Sequence, residues 1–173
     1  MAILDLLGLK SSSEEPRSSG VSAALAHILD RLEHLPDERA HYVASLALVL
    51  ARVASADLEV SSEEQKRMRA ILRDLGELPD DQARIVSELA TQRRQLRRAE
   101  YVATRELRAL TDEAGRLRVL DCVLAVSAAD DSITLREEQE VRQVASELGL
   151  THEQFTAARS RFADKREVLR GLP

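Results

Sequence analysis

Between residues 21 and 170 the chain contains only two prolines and three glycines: Pro36, Pro79, Gly76, Gly115 and Gly149. The residues between them favour or tolerate the α-helix, and no stretch sustains the period-two alternation of a half-buried strand. These breakers act as punctuation, so the expected fold class is all-α, a compact bundle of about seven or eight helices. A length of 173 residues is enough for one sizeable core. The net charge of −5 and 32% charged residues fit a polar-surfaced domain. No apolar run reaches the roughly 20 residues of a membrane span. The four aromatics, Tyr42, Tyr101, Phe155 and Phe162, are too few for a base-stacking platform. The expected location is cytoplasmic.

Apolar spacing outlines the helices. Val43, Leu46, Ala47, Leu50, Val53 and Ala54 form one face of a helix entered after Pro36-Asp37. Met68, Ile71, Leu72 and Leu75 form a second stripe closed by Gly76, and Val141, Val144, Ala145 and Leu148 a third closed by Gly149. Residues 117–129 are apolar on most sides, as a central helix is. The second and third stripes are related by an offset of 73 residues, with identities at Val53/Val126, Ala56/Ala129, Asp57/Asp130, Glu64/Glu137, Arg69/Arg142, Leu75/Leu148 and Gly76/Gly149. An internal duplication with pseudo-twofold halves at about 37–95 and 111–166 is expected. The polar run from Ser11 to Gly20 marks residues 1–20 as a flexible segment with a frayed start, ahead of a domain over 21–173.

Each half carries Asp-x-x-(Val/Ile)-(Ser/Thr)-x-x-Glu, at Asp57–Glu64 and Asp130–Glu137. Two readings compete. Ser61-x-x-Glu64 and Thr134-x-x-Glu137 are capping boxes, in which the hydroxyl accepts from the third helical amide and the glutamate reaches back. That explains both glutamates with no ligand. The other reading is a hard cation held by loop and first-turn carboxylates. The candidate ligands are Asp57, Glu59 and Glu64 in the first loop, and Asp130, Asp131 and Glu137 in the second, with Ser132 assisting. A working EF-hand is not expected, because its sixth-position glycine falls on Leu58 or Asp131.

The runs Ala56-Asp57-Leu58-Glu59-Val60-Ser61-Ser62-Glu63-Glu64 and Ala129-Asp130-Asp131-Ser132-Ile133-Thr134-Leu135-Arg136-Glu137 resemble the ADGxI-xxxE signature of the TerB-like family. Residues Glu147-Leu148-Gly149-Leu150-Thr151-His152-Glu153-Gln154-Phe155 are similar to its closing LGLSxxxF junction. The family comprises bacterial tellurite-resistance proteins and the N-terminal domain of the DjlA membrane co-chaperone. The resemblance covers about residues 37–166. It implies a duplicated helical fold, acidic positions suited to a divalent cation, and a non-enzymatic role in stress responses, with protein partners and a place peripheral to the inner membrane. Leu58 and Asp131 stand where the family has glycine, and of the two Asp131 tolerates a positive φ better. The second loop is therefore the better cation candidate and the first the more structural one. A J-domain needs His-Pro-Asp, and the chain has His34-Leu35-Pro36-Asp37, so Hsp70 stimulation is not implied.

Arg93, Arg94, Arg97 and Arg98 form a basic patch continued by Arg105 and Arg108. A solvated helix face is the bland reading. The alternative is an adaptor that binds acidic partners, nucleic acid or anionic membrane through this Arg93–Arg108 face, with no metal. The patch can also serve an intramolecular or homodimer contact with an acidic loop. Nucleic acid is the less favoured partner, because Tyr101 alone is at hand to stack on a base. His27, His34 and His41 recur at sevens, too far apart along a helix to share a metal. Cys122 lies in an apolar run and reads as a small buried hydrophobe. No phosphate loop, nucleophile elbow or His-Glu-x-x-His pair is present, and no enzyme activity is expected.

Overall fold

The computed structural model describes residues 3–7, 22–53, 61–92, 100–129 and 133–163. They form α1 (Ile3–Leu6), α2 (Ala23–Glu33), α3 (Asp37–Val53), α4 (Ser62–Asp74), α5 (Asp80–Ala90), α6 (Glu100–Leu110), α7 (Glu113–Ser127), α8 (Leu135–Glu147) and α9 (His152–Ser160). The fold is all-α, with eight helices of nine residues or more among the described residues. None of these is long and apolar enough to cross a membrane.

The centre of the bundle is α3. Its expected single apolar stripe is corrected: every residue from Val43 to Val53 is buried, with Ala40 and His41. Leu48 and Ala51 fill the side opposite Leu46 and Leu50, so no polar face remains. Its broadest contacts are with α6 and α5, and α1, α2, α7 and α8 also pack on it. Ala44 and Ala47 of α3, Ala83 of α5 and Ala103 of α6 are all fully buried, and small side chains at such positions let helix axes approach closely. Each buried leucine here contributes roughly 1.5–3 kcal/mol. Further contacts join α8 to α3 and α4 to α7.

Local chemistry sets the helix ends. Ser22 accepts from Leu25 N to cap α2, and Asp112 accepts from Gly115 N to cap α7. Capping boxes open α4, α8 and α9. At the end of α8, Gly149 takes φ +76°. Leu150 N donates to Ala145 O and Gly149 N to Ser146 O, each at 3.0 Å, which satisfies carbonyls the helix leaves open. The end of α4 differs from the expected glycine stop. The left-handed residue there is Glu77 at φ 53°, one position beyond Gly76. Gly76 serves close packing instead, since a Cβ on it would stand 2.5 Å from Leu72 O and 3.2 Å from Cys122 Sγ.

Three further expectations are corrected. Leu75 is 44% exposed although its counterpart Leu148 is fully buried. His41, read as a surface histidine, is buried against Glu106 of α6, with Nδ1 2.8 Å from Oε1. The frayed start does not hold for Ile3–Leu7: Leu6 and Leu7 are buried in the core, and α1 packs on α3.

Candidate functional site

The flanks of the two acidic segments lie at one end of the bundle. Residues 54–60 fall between α3 and α4, and residues 130–132 between the turn after α7 and α8. Two ties cross between them. Arg67, in the second turn of α4, donates from Nη1 to Ala129 O at 3.1 Å. Arg52, in the last turn of α3, donates from Nε to Glu140 Oε2 at 3.1 Å, and from Nη1 and Nη2 to the two Glu147 oxygens at 2.8 and 3.2 Å. The entrance of the first segment is thereby tied to the helix leaving the second, and the helix leaving the first to the entrance of the second.

Arg52 is 7% exposed, which a guanidinium tolerates only when paired. Glu147 also accepts from Thr104 Oγ1 at 2.6 Å and from Gln143 Nε2 at 3.0 Å. Burial alone would raise the pKa of Glu147. The hydrogen bonds from Arg52, Thr104 and Gln143 outweigh it and hold the carboxyl below its ordinary range. A lone arginine in the apolar run Leu50-Ala51-Arg52-Val53 was the available sequence signal for this network, and sequence reasoning passed over it.

Both motif glutamates serve as caps. Glu64 Oε2 accepts from Ser61 N at 2.5 Å, and Ser61 Oγ accepts from Glu64 N at 3.2 Å. These hydrogen bonds to Ser61 keep the Glu64 carboxyl below its usual pKa. Glu137 Oε2 accepts from Thr134 N at 2.9 Å and from Thr134 Oγ1 at 2.8 Å. Each carboxylate is thus fixed at the point where its acidic segment enters a helix. Asp57, Glu59, Asp130 and Asp131 lie outside the described residues, as does Ser132. Among the described residues no three His, Cys, Asp or Glu side chains are grouped to hold a metal ion.

Arg93, Arg94, Arg97 and Arg98 also lie outside the described residues. Of the rest of that patch, Arg105 and Arg108 are both exposed, and the Arg108 guanidinium lies over Gly149. A Cβ on Gly149 would meet its Cζ at 3.0 Å. Arg108 therefore sits at the C-terminal end of α8, where a cation suits the helix dipole. His27 and His34 are exposed and apart from the His41–Glu106 pair. Cys122 is buried, and burial, with a smaller contribution from Asp121, pushes its thiol up to about 12. Both effects disfavour the thiolate at neutral pH.

Compared with known proteins, the chain matches the family model described as Tellurite resistance protein TerB over residues 42–160, from α3 through α9. No curated protein and no solved structure matches it.

Proposed function

The chain belongs to the TerB family, and from that premise we propose that it is a non-enzymatic interaction module of a bacterial stress response such as tellurite resistance, whose second acidic loop responds to a divalent cation. One observation carries this reading: the described residues on either side of 130–132 are held by hydrogen bonds. Arg67 holds Ala129 O at the entry, and the cap on Thr134 holds the Glu137 carboxylate at the exit. A short acidic segment between fixed ends loses little entropy when a cation gathers its oxygens. Asp130, Asp131 and Glu137 offer only hard oxygen donors, a set that suits calcium, magnesium or manganese rather than a thiolate-seeking metal. The first loop, with Asp57, Glu59 and Glu64, is the more structural one: Glu64 caps α4, and Arg67 of the same helix holds Ala129 O. A cation bound there stiffens the junction of α7, α8 and α4, the surface offered to a protein partner. The adaptor reading through Arg93–Arg108 is the alternative, with Arg105 and Arg108 exposed and the Arg108 guanidinium lying over Gly149.

The test is calorimetric titration of EDTA-treated protein with calcium, magnesium and manganese, beside Asp130→Asn and Asp57→Asn. Saturable binding that Asp130→Asn abolishes and Asp57→Asn leaves largely intact is the expected outcome. Equal binding by wild type and Asp130→Asn, or none at millimolar cation, would remove the cation from the account.

A further inference from the structure

α1 is a single turn of helix, closed by Leu7 N donating to Ile3 O at 3.0 Å. An isolated helix that short does not hold in water, because one hydrogen bond does not repay the fixing of its backbone. Its order comes from packing. Leu6 and Leu7 are each 1% exposed, Ile3 packs against the same core, and α3 is the helix that α1 chiefly meets. Ile3, Leu6 and Leu7 stand at i, i+3 and i+4, on one face of one turn.

Two features make α1 a separable cover and not part of the bundle's frame. Fourteen residues, five of them serine and two glycine, lie between Leu7 and Ser22, so packing on α3 and not a short connection holds α1 in place. The family match begins at residue 42, within α3, so α1 lies outside the matched region while most of the helix it covers lies inside. The covered helix has no polar face to offer instead. Residues 43–53 of α3 are all buried, and an apolar strip bared there would stand against water. The resident segment also shows what fits this surface: two adjacent leucines, one turn after an isoleucine.

We propose that the α3 surface beneath α1 is a docking site for a short helical segment of a partner protein with this leucine pattern, and that residues 3–7 fill it until such a segment displaces them. A partner segment of the form apolar-x-x-Leu-Leu buries the same side chains that Ile3, Leu6 and Leu7 bury now. The tethered α1 competes at the high effective concentration that a linker gives. It therefore sets a threshold, which a longer partner helix with more apolar contact passes. This site is separate from the acidic loops, and its test touches none of their residues.

The experiment uses the full chain and a fluorescein-labelled peptide of residues 1–10, with the Leu6→Ser, Leu7→Ser form of that peptide as control. The same two substitutions in the full chain empty the site, and circular dichroism checks that its helices remain. Fluorescence polarisation should show saturable binding of the unaltered peptide to the substituted chain. Binding to wild type, where α1 fills the site, should be weaker by about tenfold or more. Hydrogen exchange on wild type gives a reading that does not depend on the variant. The Leu7 amide should exchange about a hundredfold faster, or more, than the amides of Leu46 to Leu50, because α1 lifts while the bundle stays folded. No binding to the folded substituted chain at millimolar peptide, equal binding of the control peptide, equal affinity for wild type, or a Leu7 amide as slow as those of α3 would each overturn the proposal.

Discussion

Arg52 is the most informative residue to perturb. Its guanidinium makes three hydrogen bonds to Glu140 and Glu147 from the end of α3, and Glu147 is shared with Thr104 of α6 and Gln143. Removing one partner of a fully buried ion pair costs about 3–5 kcal/mol, mostly because the remaining charge is stranded. Here the Glu140 and Glu147 side chains keep 40% and 24% exposure, so water relieves part of that penalty. The expected loss for Arg52→Met, which retains most of the apolar stem, is therefore about 2–3 kcal/mol. Urea denaturation at pH 7 reads it directly. A double-mutant cycle with Glu147→Gln should recover about 1–2 kcal/mol of coupling, because either substitution alone already breaks the pair. The pH dependence has a definite sign. Glu147 has a lowered folded pKa, so its contribution is present above the ordinary glutamate value of about 4.3 and disappears as pH falls through the folded value. The gap between wild type and Arg52→Met should narrow in that acid range. A destabilisation under about 0.5 kcal/mol at pH 7, or an absent coupling term, would refute the claim that this network ties the end of α3 to α8.

Three other outcomes follow from single residues. Glu77→Gly should raise stability by roughly 0.5–1 kcal/mol in chemical denaturation, since relief of the left-handed backbone exceeds the added freedom of the unfolded chain. Gly76→Ala should be destabilising in the same assay, because the new methyl group would strike the Leu72 carbonyl oxygen at 2.5 Å. Cys122 should react with a thiol-specific disulfide reagent only at the rate of global opening, and at full speed in denaturant; rapid modification of the native protein would contradict its burial and raised pKa.

What the sequence disclosed divides along the range of the interactions involved. Caps are local, so Ser61-x-x-Glu64 and Thr134-x-x-Glu137 could be read as motifs and are found as capping boxes. The positions of α3, α4 and α8 follow from Pro36, the caps and the apolar spacing, each set within a few residues. The depth of α3 was not legible as a stripe, because its polar face is missing only by virtue of packing on both sides by α5 and α6. The end of α4 misled for a related reason. Gly76 and Gly149 look equivalent in sequence, yet Gly76 faces Cys122 and Gly149 faces Arg108, so packing decides which residue turns left-handed. Arg52 joins Glu140 and Glu147 across 88 and 95 positions, and no short-range pattern announces such partners. The family resemblance supplied what spacing alone could not, and the family match over residues 42–160 agrees with it.

The central claim is that Glu137 does more than cap a helix, and Glu137→Gln tests it most directly. Glutamine can hold this cap: in α9 of the same chain, Gln154 Oε1 accepts from Thr151 N at 2.8 Å in the same box. The substitution therefore keeps the helix start and removes the charge a cation needs. Melting curves with and without millimolar calcium should show a nearly unchanged cation-free melting temperature and the loss of a calcium-dependent rise seen in wild type. If both proteins rise equally with calcium, or if neither responds, Glu137 is a helix cap alone and the second acidic loop is not a cation site.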